Sequence, residues 1–133
     1  TQYLLTGYCS ALKQHLLPID TNLTYFATEF LEEKGYQFSE LLFNHDPQID
    51  AIITTDSLLA EGVCDYISKH QLTVPVLSFD SVNPRLDLVA YVDINSLELG
   101  RVSFETILQI INDAKNNKQI CYRQLIGHKI IEK

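Results

Sequence analysis

The sequence contains no methionine and no tryptophan, and it has only 5 glycines and 4 prolines among its 133 residues. So few glycines and prolines exclude collagen-like and low-complexity chains. No apolar run approaches the roughly 18 residues that are needed to cross a bilayer. The chain is 46% hydrophobic, so it also lacks the low hydrophobicity and high charge of a disordered protein. Length and composition therefore predict a single globular domain that does not enter a membrane.

Positive charge is also scarce. The chain has 10 Lys and Arg residues against 17 Asp and Glu residues, which gives a net charge of −7 at pH 7. A domain that binds DNA with its own surface normally carries a basic face. We therefore expect any contact with DNA to be made outside this chain.

The residues that usually carry catalysis or bind metals are not arranged to do so. Cys9, Cys64 and Cys121 are widely spaced, and neither they nor the 4 histidines follow a metal-ligand pattern. Glycine-rich nucleotide loops and the Gly-x-Ser-x-Gly nucleophile motif are absent. The sequence predicts reduced thiols in a cytoplasmic protein, with no catalytic residue, no metal and no cofactor.

The amino terminus reads as the middle of a longer polypeptide. The chain begins with Thr1 rather than methionine, and no basic and apolar leader pattern follows. We therefore expect residues 1–133 to be one domain or domain fragment of a larger protein.

Helix and strand patterns alternate along the chain. Ser57 is a candidate N-cap for the third helix. The predicted helices are Tyr3–His15, Phe30–Phe43, Ser57–His70 and Leu97–Ala114, and the predicted strands are Leu23–Ala27, Ala51–Thr55, Val74–Phe79, Leu88–Val92 and Ile120–Ile126. This alternation predicts an α/β fold, a three-layer, Rossmann-like sandwich around a mostly parallel sheet.

The helix predicted at Leu97–Ala114 has an unusually wide apolar face. Its apolar residues cover about half of the circumference, whereas a helix that lies on a sheet needs a stripe of only about 100°. Two interpretations remain open. The helix is either buried within the sandwich, or it meets the sheet on one side and a second lobe or chain on the other.

Three residues follow predicted strand ends, where open parallel sheets bind ligands. They are Phe30, Asp56 and Asp80. Carboxylates accept hydrogen bonds from hydroxyl groups, and an aromatic ring packs against a sugar or purine face. The three residues therefore predict a small-molecule site. Structural alternatives stay open for each of them, since Asp56 could cap a helix, Asp80 could be a solvated turn residue and Phe30 could belong to the core.

Several segments resemble regulators of the lactose-repressor/galactose-repressor (LacI/GalR) family. Asp50 to Val63 is similar to the family's "DAIfatNDllAlGvl", and Leu72 to Ser81 is similar to "glrVPedvsVvGFDd" with a short deletion. Tyr91 to Arg101 resembles "TtVdqpveelGr", Leu4 to Leu12 resembles "RlrGFleAL", and Tyr122 to Ile126 fits "pprLivR" loosely. The segments occur in the family's order and cover nearly the whole chain.

The resemblance implies a fold and a domain organisation. The family fold is the periplasmic-binding-protein type I architecture, in which two α/β lobes surround an effector cleft. This chain would form most of the C-terminal lobe, and residues 95–118 would cross into the N-terminal lobe. The DNA-binding headpiece would lie outside the chain, and the regulator would be a homodimer.

The resemblance also implies an effector site, which departs from the family pattern at two positions. The aromatic plate falls on Phe30, the Asn of "ND" falls on Asp56, and the first Asp of "FDD" falls on Asp80. However, the effector-clamping Arg falls on Leu4, and a usual Gln falls on Ile94. Without that Arg, one charge-assisted contact to the effector is lost.

These observations together predict a cytoplasmic, effector-sensing and dimerising domain of a transcriptional regulator rather than an enzyme. The effector would belong to the sugar or purine class, and a sugar-responsive repressor is favoured. One alternative is the sugar-binding component of a transporter, which shares the fold. Another is an enzyme or phosphoacceptor that uses Asp56 and Asp80, although the partner residues of a receiver domain are not found.

Overall fold

The computed structural model describes residues 2–80, 86–116, 121, 123 and 125–132. A short 3₁₀ helix at Thr21–Leu23 lies between the first two α-helices. The helices are α1 (Gln2–Gln14), α2 (Glu32–His45), α3 (Ser57–Lys69) and α4 (Ser96–Lys115), and the strands are β1 (Ile52–Thr54), β2 (Val76–Phe79), β3 (Ala90–Asp93) and β4 (Lys129–Glu132). The predicted α/β class is therefore confirmed.

In the described residues, the sheet has four strands in the order β1-β2-β3-β4. The first three strands run parallel, with Ile52 opposite Val76 and Leu77 opposite Ala90. β4 runs antiparallel to β3 and closes the other edge of the sheet. The sheet is mostly parallel, as predicted. The carboxyl ends of its three parallel strands lie side by side and form what is called the strand-end edge below.

One face of the sheet carries the core. α3 lies against β1 and β2, and α2 packs along α3. The central cluster of buried side chains consists of Ile52, Ala60, Val63, Val76 and Leu88. The opposite face is less covered, since Ile53 is 54% exposed and Leu77 and Phe79 are only half-buried.

The contact between α2 and α3 is unusually close because two glycines lie in it. A Cβ atom on Gly62 would lie 1.9 Å from the Glu32 carbonyl oxygen, and one on Gly35 would lie 2.1 Å from the Leu59 carbonyl oxygen. Ser39 is fully buried in the same region and donates a hydrogen bond from its Oγ to the Gly35 carbonyl oxygen. Backbone therefore meets backbone here, which only residues without a side chain allow.

α1 and α4 behave differently from α2 and α3. Within the described part of the chain, neither of them packs extensively against another element. Most apolar residues of α4 are exposed, so the interpretation of this helix as buried within the sandwich is wrong for this chain. The extensive contact with the sheet that the other interpretation includes is not found among the described residues either. The exposed apolar residues are Leu97, Leu99, Phe104, Ile107, Leu108, Ile110 and Ile111.

Two predicted strands are not formed as expected. Leu23–Ala27 holds the end of the 3₁₀ helix and then backbone outside any strand, because no strand of the described residues lies beside it to complete a ladder of hydrogen bonds. Of the predicted strand Ile120–Ile126, residues 120, 122 and 124 lie outside the described residues, and the others are not in a strand. The pairing with β3 is made instead by Lys129–Glu132.

The start of α3 also corrects a prediction. Asp56, rather than Ser57, is the N-cap, and Ser57 is the first helical residue. In the described residues, no helix is both long enough and apolar enough to span a membrane.

Candidate functional site

Three carboxylates lie where the parallel strands end. Asp56 comes two residues after β1, Asp80 comes directly after β2, and Asp93 is the last residue of β3. Because the three strands are parallel and adjacent, these residues share one edge of the sheet. Ligands of open parallel sheets bind at this edge.

Asp56 uses only one of its two carboxylate oxygens for structure. Its Oδ1 accepts hydrogen bonds from the backbone nitrogens of Leu58 and Leu59, at 2.9 and 3.0 Å. Its Oδ2 is buried and has no hydrogen-bond partner among the described residues. The helix-capping alternative for Asp56 is therefore correct, but capping leaves an acceptor that is costly to bury unpaired. A donor from a ligand or from water would satisfy it.

Thr54 adds a second unpaired acceptor at the end of β1. The residue is 6% exposed, and its Oγ1 has no hydrogen-bond partner in the part of the chain that the structure describes. Its side chain lies on the same face of the sheet as Ile52. The segment from the end of β1 to the N-cap of α3 thus holds two buried polar atoms that no described residue bonds.

Asp80 is held in an uncommon backbone conformation. Its φ is 54°, and its backbone nitrogen donates to the Val92 carbonyl oxygen at 2.9 Å. Non-glycine residues rarely adopt positive φ, although Asp does so more often than most. Its Oδ1 accepts a hydrogen bond from Ser96 Oγ at 3.3 Å. Asp80 is therefore positioned by β3 and by the start of α4, and it is not a free turn residue.

Phe30 precedes α2 by two residues and is 51% exposed, so it is not part of the core. The backbone of Glu32, at the start of α2, lies against Gly62 in the first half of α3. The beginnings of the two helices are therefore close, and Phe30 lies at the end of the domain where α3 begins. That is the end at which Asp56 caps α3.

The two departures from the family pattern fall in different places. Ile94 follows β3 directly, at the same edge as the carboxylates, and is exposed. Leu4 lies on α1, which does not pack on the described sheet. Neither position supplies a cation, and no salt bridge among the described residues involves Asp56 or Asp80.

The strand-end edge can therefore accept hydrogen bonds through its carboxylates and offer the ring of Phe30 as an aromatic surface. Within the described residues, no group of three or more His, Cys, Asp or Glu side chains is placed to hold a metal ion. Thr54 and Ser96 were not predicted as site residues. Ser96 had a signal, since Ser at the start of a helical pattern often makes a side-chain hydrogen bond, whereas the missing partner of Thr54 has no sequence signature.

The fold is that of the regulators with which the domain superposes. No protein-family model matches the chain. A protein named as transcriptional regulator LacI from Bacillus cereus subsp. cytotoxis is 25% identical, with a TM-score of 0.81 over 97% of this chain and 47% of that chain. The transcriptional regulator CelR in complex with cellobiose gives a TM-score of 0.78 at 17% identity, over 96% of this chain and 40% of that chain.

The sequence comparison gives a closer relative. The HTH-type transcriptional regulator MalR of Streptococcus pneumoniae is 80% identical over all 133 residues, which are 40% of its own length. The chain is therefore similar over its whole length to part of an HTH-type transcriptional regulator, and it shares its fold with regulators of the LacI family. It spans less than half the length of the relatives that it matches.

Proposed function

We propose that this chain is the effector-sensing part of a cytoplasmic transcriptional regulator, that its effector is a neutral sugar, and that it has no enzymatic activity. The observation that carries the proposal is the strand-end edge with Asp56 and Asp80. There, the buried Asp56 Oδ2 accepts no hydrogen bond from any described residue. The DNA-binding headpiece lies outside residues 1–133 in this proposal.

The chemistry of this edge favours a ligand rich in hydroxyl groups. Ionised carboxylates only accept hydrogen bonds, and each sugar hydroxyl can donate one. The half-exposed ring of Phe30 offers an apolar surface for the face of a pyranose or of a purine. A sugar is favoured over a purine because a structural neighbour, CelR, is a cellobiose complex.

The regulatory mechanism would be a population shift. An effector that binds one arrangement of two lobes more tightly than another shifts the equilibrium toward that arrangement. The coupling is reciprocal, so the same effector changes operator affinity in the whole protein. This chain would contribute the Asp56 and Asp80 side of the cleft.

We also propose that the regulator is a homodimer. Large exposed apolar patches normally mark interfaces, and α4 exposes most of its apolar residues here. In the isolated chain, a second copy would cover this face. Light scattering should then give a dimer for the unmodified chain and a monomer for the Ile107→Glu, Ile111→Glu double variant. A monomeric unmodified chain at high concentration would contradict this part of the proposal.

The effector proposal is best tested in a chimera. This chain would replace the matching 133 residues of the pneumococcal MalR, to which it is 80% identical. Binding of operator DNA would be followed by fluorescence anisotropy with and without maltose or cellobiose. We expect one of these sugars to change operator affinity at least fivefold, and we expect the Asp80→Ala chimera to lose that response while it still binds DNA.

Gly100→Ala is the matched control, because a Cβ atom at Gly100 meets nothing within 4 Å. A response to sugar that survives in the Asp80→Ala chimera would contradict the site. The transporter alternative has no specific observation in its favour, since the relatives reported above are named as regulators.

A further inference from the structure

α4 is partly covered by its own chain along one side. Asp113 is 6% exposed, and Val102 and Thr106 are half-buried. At 3.6 residues per turn, these three positions lie within about 40° of one another around the helix axis. They therefore define an inner side, which is turned toward the rest of the chain.

The opposite side of α4 is apolar and uncovered. Phe104, Ile107 and Ile111 are centred about 150° from the inner side, and they are 63%, 55% and 47% exposed. Among the described elements, none packs extensively along this helix. Exposed apolar patches normally mark interfaces, so α4 has a free face as well as an anchored one.

The apolar positions of this free face are spaced for packing against another helix. They alternate at intervals of three and four residues, which is the a and d pattern of paired helices whose side chains interlock. All of them are exposed. These positions, which we call the outer seam, are Leu97, Gly100, Phe104, Ile107, Ile111 and Ala114.

The residue sizes along the outer seam complement the same seam when it runs in the opposite direction. In an antiparallel pair centred on the middle of the seam, the facing residues would be Leu97 with Ala114, Gly100 with Ile111, and Phe104 with Ile107. Large residues then face small ones at both ends, which fills the space between two helices. A parallel copy would instead place Gly100 against Gly100 and leave a gap. A Cβ atom on Gly100 meets no described atom within 4 Å, so even alanine at this level would leave room for Ile111.

The charges at the two ends of α4 also favour an antiparallel copy. The first turn carries Glu98, and the last turn carries Lys115. Arg101 forms salt bridges with Glu98 and Glu105 on its own helix, so these two acids and one base leave one net negative charge. An antiparallel copy would place Lys115 beside this group, and it would bring the negative end of one helix dipole to the positive end of the other. A parallel copy would place like charges together at both ends.

We propose that two copies of the chain pair through the outer seam as antiparallel helices, about a twofold axis between Phe104 and Ile107. This inference rests on the homodimer of the proposed function and adds its orientation and register. A twofold interface uses the same surface of both copies, and the outer seam is complementary to itself in size and in charge. Each α4 would then lie between its own domain, on the inner side, and the helix of the second copy.

The register is tested by nuclear Overhauser contacts in a sample that mixes ¹³C-labelled and unlabelled chains. Leu97 and Ala114 are 17 residues apart, about 26 Å along one helix, so a contact between their methyl groups must join two copies. We expect isotope-filtered spectra to show this contact, together with one between Phe104 and Ile107. A dimer in which Leu97 instead contacts Leu97 of the second copy, or in which Leu97 does not contact Ala114, would overturn the register although the homodimer stands.

The second test makes the same substitution on two sides of α4. Leu97 is 90% exposed, so Leu97→Ala should leave the fold of each copy intact. It removes a seam residue, so the dissociation constant of the dimer, measured by analytical ultracentrifugation, should rise at least about fivefold. Leu99→Ala is the matched control outside the seam and should change the dissociation constant less than about twofold.

Equal effects of Leu97→Ala and Leu99→Ala on the dissociation constant would overturn the assignment of the seam. An unmodified chain that stays monomeric at high concentration would overturn this inference together with the homodimer of the proposed function. The proposed effector site would be unaffected by that result.

Discussion

α3 and α4 are both amphipathic helices, yet they lie in opposite surroundings. Val63 of α3 is 4% exposed, whereas Ile107 of α4 is 55% exposed. α3 lies against β1 and β2 and accepts the close approach of α2 at Gly62. α4 has a wider apolar face and no extensive partner among the described elements. Periodicity thus predicts that a helix forms, but it does not reveal which surface covers it.

The largest expected effect concerns the glycine contact between α2 and α3. Gly62→Ala places a Cβ atom 1.9 Å from the Glu32 carbonyl oxygen, so the helices must separate. We expect a loss of about 3 kcal/mol in the free energy of unfolding, measured by urea denaturation. Gly100→Ala on α4 is the control and should gain up to about 1 kcal/mol, because alanine favours helix more than glycine does. Equal effects of the two changes would show that the regions do not differ in packing.

The second comparison truncates one apolar side chain in each helix. Val63→Ala removes two buried methyl groups, so we expect it to cost about 2 kcal/mol. Ile107→Ala, in the exposed face of α4, should change stability by less than about 0.5 kcal/mol at concentrations where the chain is monomeric. Urea denaturation measures both. A large loss for Ile107→Ala would mean that α4 is covered within the monomer.

The sequence predicted α4 well because its evidence is local. The periodic pattern at Leu97–Ala114 corresponds to a helix at Ser96–Lys115. The strand predicted at Leu23–Ala27 failed because β-forming residues need a neighbouring strand, which no local pattern can guarantee. The N-cap was undecided between Asp56 and Ser57, two adjacent residues of capping type, and only the backbone geometry distinguishes them. The unpaired Oδ2 of Asp56 depends on burial by distant residues, so it could not be predicted.

The third prediction sharpens the assignment at the start of α3. Asp56→Ala removes the N-cap hydrogen bonds to Leu58 and Leu59, so it should cost about 1 kcal/mol. Ser57→Ala should cost less than about 0.5 kcal/mol, because Ser57 is already within the helix. Thermal unfolding followed by circular dichroism compares them. A larger loss of stability for Ser57→Ala than for Asp56→Ala would show that Ser57 is the N-cap.

The smallest effect concerns the exposed pair Asp20 and His45, which ties the loop after α1 to the end of α2. His45 Nε2 lies 3.0 Å from Asp20 Oδ2, and its hydrogen bond lowers the pKa of Asp20 below the usual 3.8. A lowered pKa in the folded state stabilises the fold above pH 3.8, and this contribution is lost as the pH falls through the lowered value. His45→Gln should therefore have a slightly lower melting temperature than the unmodified chain at pH 5, and the difference should disappear near pH 2. A difference that is the same at both pH values would contradict this account.

The central claim is that the domain binds its effector at the carboxyl edge of the sheet. The other end of the parallel strands, where they begin, offers a comparison site for ligand binding. A groove of about 480 Å³ lies there, lined by residues that include Cys64, Leu72, Val74 and Val89. A titration of the ¹⁵N-labelled chain with maltose and with cellobiose should shift the amide signals of Phe30, Asp56 and Asp80. We expect a Kd no tighter than about 1 mM, roughly −4 kcal/mol, because the proposed function assigns only one side of the cleft to this chain. Shifts that are confined to that groove, or micromolar binding to the isolated chain, would contradict the account.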